Sequence, residues 1–248
     1  MDSTLLKGLT IFETLVRRQE PASVSELAAE VGLVRSNVHR TLVTLVHAGY
    51  VQRVPGTARF QPSTKVWELG NLVTKRFDVR ALAKPFLEEI SKSTSETVLL
   101  AVLDGLDAVY VDKVEALYPI RTDAQVGSRM PAHCLAIGKA MLAFASSDVL
   151  ESLPPRFPRH TPNTITTRSA LLAELERVRA RGYATNQGEY RDGVCGLGAP
   201  IFGLDGRCVA GVAISCPKSR FGAAARSELA KTIPKVAAAL SKRLRSAE

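Results

Sequence analysis

Residues 23–60 read S-V-S-E-L-A-A-E-V-G-L-V-R-S-N-V-H-R-T-L-V-T-L-V-H-A-G-Y-V-Q-R-V-P-G-T-A-R-F. Ser23 or Ser25 can cap a short helix running through Glu26-Leu27-Ala28-Ala29-Glu30, because a serine oxygen accepts from the otherwise orphaned first-turn N–H groups. Gly32 suits a sharp turn, since it tolerates positive φ. Val38, Leu42, Leu45 and Val46 recur at helical spacing and predict a second helix over 35–47, which Gly49 ends. Tyr50–Arg53 and Ala58–Phe60 then read as two strands, with Pro55-Gly56 at the tip between them. Two short helices about a tight turn, followed at once by a hairpin, form the pattern of a winged helix-turn-helix, which lays its second helix in the DNA major groove.

The residues at the start of that second helix are of the right kind. Arg35, Ser36, Asn37, His39 and Arg40 would face the base edges: arginine pairs bidentately with guanine, and asparagine with adenine. Thr41 and Thr44 could bond to phosphate, and Arg53 and Arg59, one on each arm of the wing, could straddle the backbone or enter the minor groove. The bland alternative is a solvated helix face with ordinary charges. The coincidence of turn, helix spacing and wing weighs against it.

Outward from this core, Leu5, Leu9, Phe12, Leu15 and Val16 predict an amphipathic helix over 4–18, broken at Glu20-Pro21-Ala22. Residues 63–76 read as a helix leading away from the DNA-binding unit, with Trp67, Leu69 and Leu72 on its apolar side. The expected organisation is therefore a winged helix over 1–62, a linker helix over 63–80 and a second domain over 81–248. That second domain mixes helices and strands. Residues 85–93, 132–145, 169–181 and 223–244 read as helices. Residues 97–103, 108–114, 183–187, 197–202 and 208–215 read as strands, the last two joined at Asp205-Gly206. An α+β class with an antiparallel-containing sheet flanked by helices follows.

The 248-residue chain carries 33 Lys and Arg against 24 Asp and Glu, a net charge of +9, which favours polyanionic partners. The excess is spread: residues 1–76 hold 10 basic against 6 acidic side chains (+4), and the remainder 23 against 18 (+5). Charge alone therefore does not single out the first domain, and the motif must. Cys134, Cys195, Cys208 and Cys216 form no C-x-x-C pair and there are four His, so a zinc framework is not expected. The start of the chain lacks a signal-peptide core and no apolar run approaches the length of a membrane span, so a soluble, cytoplasmic protein is expected.

Enzyme signatures are missing. Gly138-Lys139 fails the phosphate-loop pattern, which requires glycine where His133 stands and a hydroxyl residue where Ala140 stands. His133 and Cys134, adjacent on a helix, would point about 100° apart rather than pair as base and nucleophile. No cofactor fingerprint appears. A non-specific architectural nucleic-acid binder draws some support from Arg226, Lys231, Lys235, Lys242, Arg243 and Arg245 in the last helix. The simpler account of these charges is a solvated face, with Leu229, Ile233, Val236 and Leu240 packing inward.

Two later segments carry a resemblance: G-S-R-M-P-A-H-C-L-A-I-G-K-A-M-L-A over 127–143, and G-E-Y-R-D-G-V-C-G-L-G-A-P-I-F over 188–202. Together with the winged helix, they make the chain resemble the IclR family of bacterial transcription regulators over nearly its whole length. The resemblance implies a GAF-like C-terminal domain that binds a small effector, a homodimer or homotetramer, and an operator in double-stranded DNA at which genes are repressed or activated. It also implies effector contacts at Ala136 and Ile137 near a helix N-terminus, Asn186 or Gln187, Cys195-Gly196, Ala213 and Ser215. Relatives that bind glyoxylate or pyruvate use an acidic residue, a cysteine and two serines there. Here Asn186 or Gln187, Gly196 and Ala213 replace three of the four and Ser215 alone is kept, which implies a larger, less polar ligand.

Overall fold

Ile11, Leu15, Leu27, Val38 and Leu42 are fully buried and form one small core. The helices that bring them together are α1 (Ser3–Arg17), α2 (Val24–Val31) and α3 (Arg35–His47). The structure, a computed structural model, describes residues 3–74, 79–122 and 124–246. It divides into two units, Met1–Phe77 and Asp78–Glu248.

In the first unit Ser23 caps α2 through a full capping box. Its Oγ accepts from the Glu26 N–H at 3.3 Å, and the Glu26 carboxylate accepts from the Ser23 N–H at 2.9 Å. Gly32 then turns the chain with φ 67°. The wing is larger than the sequence predicts. Besides β2 (Val51–Arg53) and β3 (Arg59–Pro62), a two-residue strand β1 (Ala22–Ser23) pairs with β3 to give the order β1-β3-β2. Two residues carry no readable period, so β1 exists only through its distant partner. Helix α4 (Thr64–Thr74) follows, and its Trp67 and Leu72 are exposed.

Of the expected linker helix over 63–80, α4 covers Thr64–Thr74, residues 75–78 lie outside the described residues, and α5 (Val79–Thr94) belongs to the second unit. Helix α5 starts six residues before the expected start at Pro85, which sits inside it. Proline removes one hydrogen bond from such a helix, but burial of Val79, Ala83, Leu87 and Ile90 outweighs that loss.

The second unit is built on a six-stranded antiparallel sheet in the order β6-β5-β4-β9-β8-β7. Its strands are β4 (Thr97–Asp104), β5 (Asp107–Val114), β6 (Arg129–Pro131), β7 (Ala184–Gln187), β8 (Val194–Phe202) and β9 (Cys208–Pro217). Helix α5 and the terminal helix α9 (Ala223–Arg245) pack together on one face; α6 (Ala136–Leu142) and α8 (Arg168–Arg181) cover the other, and a short α7 (Ser147–Glu151) lies between those two in sequence.

The helix expected over 132–145 is broken. A 3₁₀ turn, Ala132–Cys134, is followed by Leu135 in extended conformation (φ −115°, ψ 145°), and only then does α6 begin. Gly138 makes this fold-back possible, since a Cβ there would stand 2.2 Å from the Ala132 carbonyl oxygen. Gly198 likewise lets α6 lie on the sheet, for its Cβ would be 2.9 Å from the Ile137 nitrogen. Among the described residues, no helix is long and apolar enough to cross a membrane.

Candidate nucleic-acid interface and ligand cavity

Helix α3 presents Arg35, Ser36, His39 and Arg40 to solvent over its first two turns. Thr44 continues this face, as does Val43, 42% exposed, a residue absent from the sequence-derived set. An apolar side chain among polar ones on a recognition helix fits contact with a thymine methyl group. Asn37 and Thr41 are half-buried and line a groove against α1 together with Arg40 and Thr44. The Thr44 hydroxyl donates to the Arg40 carbonyl at 3.0 Å, which uses its proton within the helix. No side chain caps α3 at Val34; the Asn37 N–H donates to the Val34 carbonyl at 3.1 Å, so the Arg35 and Ser36 N–H groups are the ones left open for want of a side-chain cap. Such a terminus favours a phosphate.

The two wing arginines have different surroundings. Arg53 is exposed, with its guanidinium 5.3 Å from the Phe60 ring centre. Arg59 is committed elsewhere: it donates to both Glu26 carboxylate oxygens at 2.8 and 3.0 Å and to the Pro21 carbonyl at 2.8 Å. The Ser23 N–H and then this guanidinium hold the Glu26 carboxyl below its ordinary range. Arg59 therefore ties the wing to α2.

In the second unit a cavity of about 320 Å³ opens between the sheet and the loop that precedes β6. Of the eight expected effector residues, Asn186 and Ser215 line it. Ala136 and Ile137 do not; they are almost fully buried beneath Gly198, and the neighbouring Leu135 reaches the cavity instead. Cys195, Gly196 and Ala213 are buried strand residues outside the lining, Gly196 registering between Asn186 and Ser215. Gln187 is exposed and its side-chain oxygen accepts from Arg226 at 3.4 Å. The lining residues that sequence reasoning missed are Tyr110, Ser128, Tyr190 and Arg191 above all. Burial pushes the Tyr110 hydroxyl up to about 12, so it stays a hydrogen-bond donor at neutral pH. Arg191 is the cation of this lining, at the exposed rim with its guanidinium 5.7 Å from the Tyr190 ring centre.

The two sequence segments that carry the family resemblance meet in space. Lys139, from G-K-A, donates to both carboxylate oxygens of Glu189, from G-E-Y, each at 2.6 Å, with Lys139 1% exposed. Burial pushes the Glu189 carboxyl above its ordinary value and the Lys139 ammonium offsets part of that rise. Arg129, from G-S-R, pairs with Asp104 and Asp107 beside the β4–β5 turn. Burial raises the Cys134 and Cys216 thiols to about 12 and lowers His133 to about 4, which leaves neither a thiolate nor an imidazolium at neutral pH.

A winged helix-turn-helix joined to an α/β unit with its own ligand-sized cavity defines a class, the DNA-binding regulators that carry a sensory domain. Residues 4–55 match the IclR helix-turn-helix domain and residues 71–242 the bacterial transcriptional regulator IclR C-terminal domain. The chain belongs to the IclR family and is a DNA-binding transcriptional regulator. It is 33% identical to the regulator KdgR of Escherichia coli over 88% of this chain and 84% of KdgR. The IclR protein of Thermotoga maritima is 34% identical, with a TM-score of 0.80 over 99% of this chain and 100% of that one. An IclR homologue from Microbacterium hydrocarbonoxydans, solved with 4-hydroxybenzoate, shares the fold at 23% identity, with a TM-score of 0.84 over 99% and 100% of the two chains.

Proposed function

We propose that this regulator reads its operator with Arg35, Ser36, Asn37, His39, Arg40 and Val43 of α3. Thr41, Thr44, Arg53 and the α3 N-terminus hold phosphates, and Arg59 acts from behind by fixing the wing. One recognition helix spans only a few base pairs, so two must act together on a symmetric site. The exposed apolar side chains of α1 (Leu6, Leu9) and α4 (Trp67, Leu72) support a homodimer built through the first unit.

The effector is a small carboxylic acid with an apolar, ring-sized body. The observation that carries this reading is the cavity itself: aromatic walls at Tyr110 and Tyr190, hydroxyl and amide groups at Ser215 and Asn186, and a cation at the rim. Its volume lies at the small end of ligand pockets. The 4-hydroxybenzoate held by the Microbacterium relative is a ligand of this class. The test is calorimetric titration of the full chain with a panel of benzoates and short keto acids. A ring acid should bind most tightly, and Arg191→Ala should weaken it about 10–100-fold, the range for a lost hydrogen bond to a charged group. Equal binding by wild type and Arg191→Ala, or preference for a two- or three-carbon keto acid, would contradict the assignment.

A further inference from the structure

A second group of side chains lies beside the cavity and takes no part in the reading above. His133 and Cys134 sit on the 3₁₀ turn, and His160 on the loop between α7 and α8. One donor atom from each lies within 4.8 Å of the others. His133 is 4% exposed, and its Nε2 is buried with no hydrogen-bond partner among the described residues. Buried polar atoms are nearly always satisfied, so this one calls for a ligand. Its ring is held in place by stacking on Phe157, with centroids 4.4 Å apart.

The loop that carries His160 is also fixed. The His160 N–H donates to Thr164 Oγ1 at 3.1 Å, and the Thr161 and Thr164 hydroxyls donate to the Gly188 and Glu189 carbonyls, both at 2.6 Å. The His160 ring packs against Tyr190, centroids 4.8 Å apart, and Tyr190 lines the cavity. His160 is the exposed member of the three.

We propose that His133 Nε2, Cys134 Sγ and a ring nitrogen of His160 form a binding site for one divalent cation of the zinc class, with a fourth position open to water on the exposed His160 side. Two imidazoles and a thiolate are borderline-soft donors that suit zinc or cobalt and not calcium or magnesium. Tetrahedral zinc wants its donors about 3.3–3.6 Å apart. His160, the exposed member, closes the remaining ångström by a side-chain rotation on its held backbone. Binding is a proton exchange: the Cys134 S–H bond, now donating to the Pro131 carbonyl at 3.3 Å, breaks, the sulfur–metal bond forms, and one proton leaves to solvent with no change of oxidation state. A metal there would fix His160 and, through it, the Tyr190 wall of the cavity.

The sequence spacing hides this site, because His160 is far from the other two along the chain and no C-x-x-C pair announces it. The test uses the full chain, stripped with chelator and titrated with Co²⁺ as an optical probe. One Co²⁺ per chain is expected, with thiolate-to-cobalt charge-transfer absorption, d–d bands of tetrahedral intensity and one proton released per ion, all reversed by Zn²⁺. His160→Ala, a surface change that leaves the fold alone, should weaken binding at least about tenfold. Cys134→Ser should remove the charge-transfer band. Lack of that band in the wild type, or unchanged affinity in His160→Ala, would overturn the proposal even if Cys134→Ser fails to fold.

Discussion

Lys139 and Glu189 show how much a single buried contact decides. Their side chains come from segments 50 residues apart and meet at 2.6 Å with almost no solvent contact. Removing one partner leaves the other as an uncompensated buried charge, which costs more than the pair itself contributes. Lys139→Met should therefore destabilise the second unit by about 3–5 kcal/mol, and Lys139→Met combined with Glu189→Met by less than the sum of the two single changes. Urea unfolding of the three variants checks this; a loss under about 1 kcal/mol for Lys139→Met would contradict it. From the sequence Lys139 could be excluded from a phosphate loop but not assigned, since nothing local points to Glu189. His133 and Cys134 are packed interior residues, as their apolar setting in the sequence suggests; what differs is the helix under them, since the 3₁₀ turn and the return of the chain at His160 set their neighbours.

At the scale of elements, local signals were reliable wherever the cause of the element is local. The capping box of α2, the left-handed Gly32 and Gly49, and the span of α3 are all written within a few residues. Elements that depend on distant partners were not legible: β1 exists because β3 pairs with it, and α6 starts late because the chain must pass over Ala132. The joint between α2 and the wing rests on Glu26, which serves the capping box and Arg59 at once. Its carboxyl is held below the ordinary value in the folded chain, so its contribution is fully present above the unfolded-state value and is lost as pH falls through the lowered folded one. Protection factors of the α2 and β3 amides, taken against the intrinsic exchange rate at each pH, should thus fall on acidification below the ordinary carboxylate value, and Glu26→Gln should lower them at neutral pH and flatten the dependence. Identical acid profiles for wild type and Glu26→Gln would remove Glu26 from this role.

For the whole molecule, the two-part organisation is visible in the patterning, the sensory character of the second part only through the family resemblance, and the cavity in neither. Its lining is gathered from β4, β5, β6, β7, β8 and β9, Leu135 before α6, and the loops carrying Thr122, Ser128, Tyr190 and Arg191, so no stretch of sequence displays it. The residues expected around it came from a family pattern, and this chain's geometry retains Asn186 and Ser215 while bringing in Tyr110, Tyr190 and Arg191. The proposed DNA-reading face needs no such assembly, because one helix carries nearly all of it and helical spacing is explicit in sequence. Both parts serve one claim: that α3, presented in pairs, reads a defined operator. Selection of binding sites from a random duplex pool by the full chain, followed by fluorescence-anisotropy titration of the winner, tests this most directly. The account predicts an inverted repeat bound at least about 10³-fold more tightly than random duplex, with Arg40→Ala costing about 1–3 kcal/mol of that preference. Comparable affinity for selected and random DNA, or a selected site without two-fold symmetry, would contradict it.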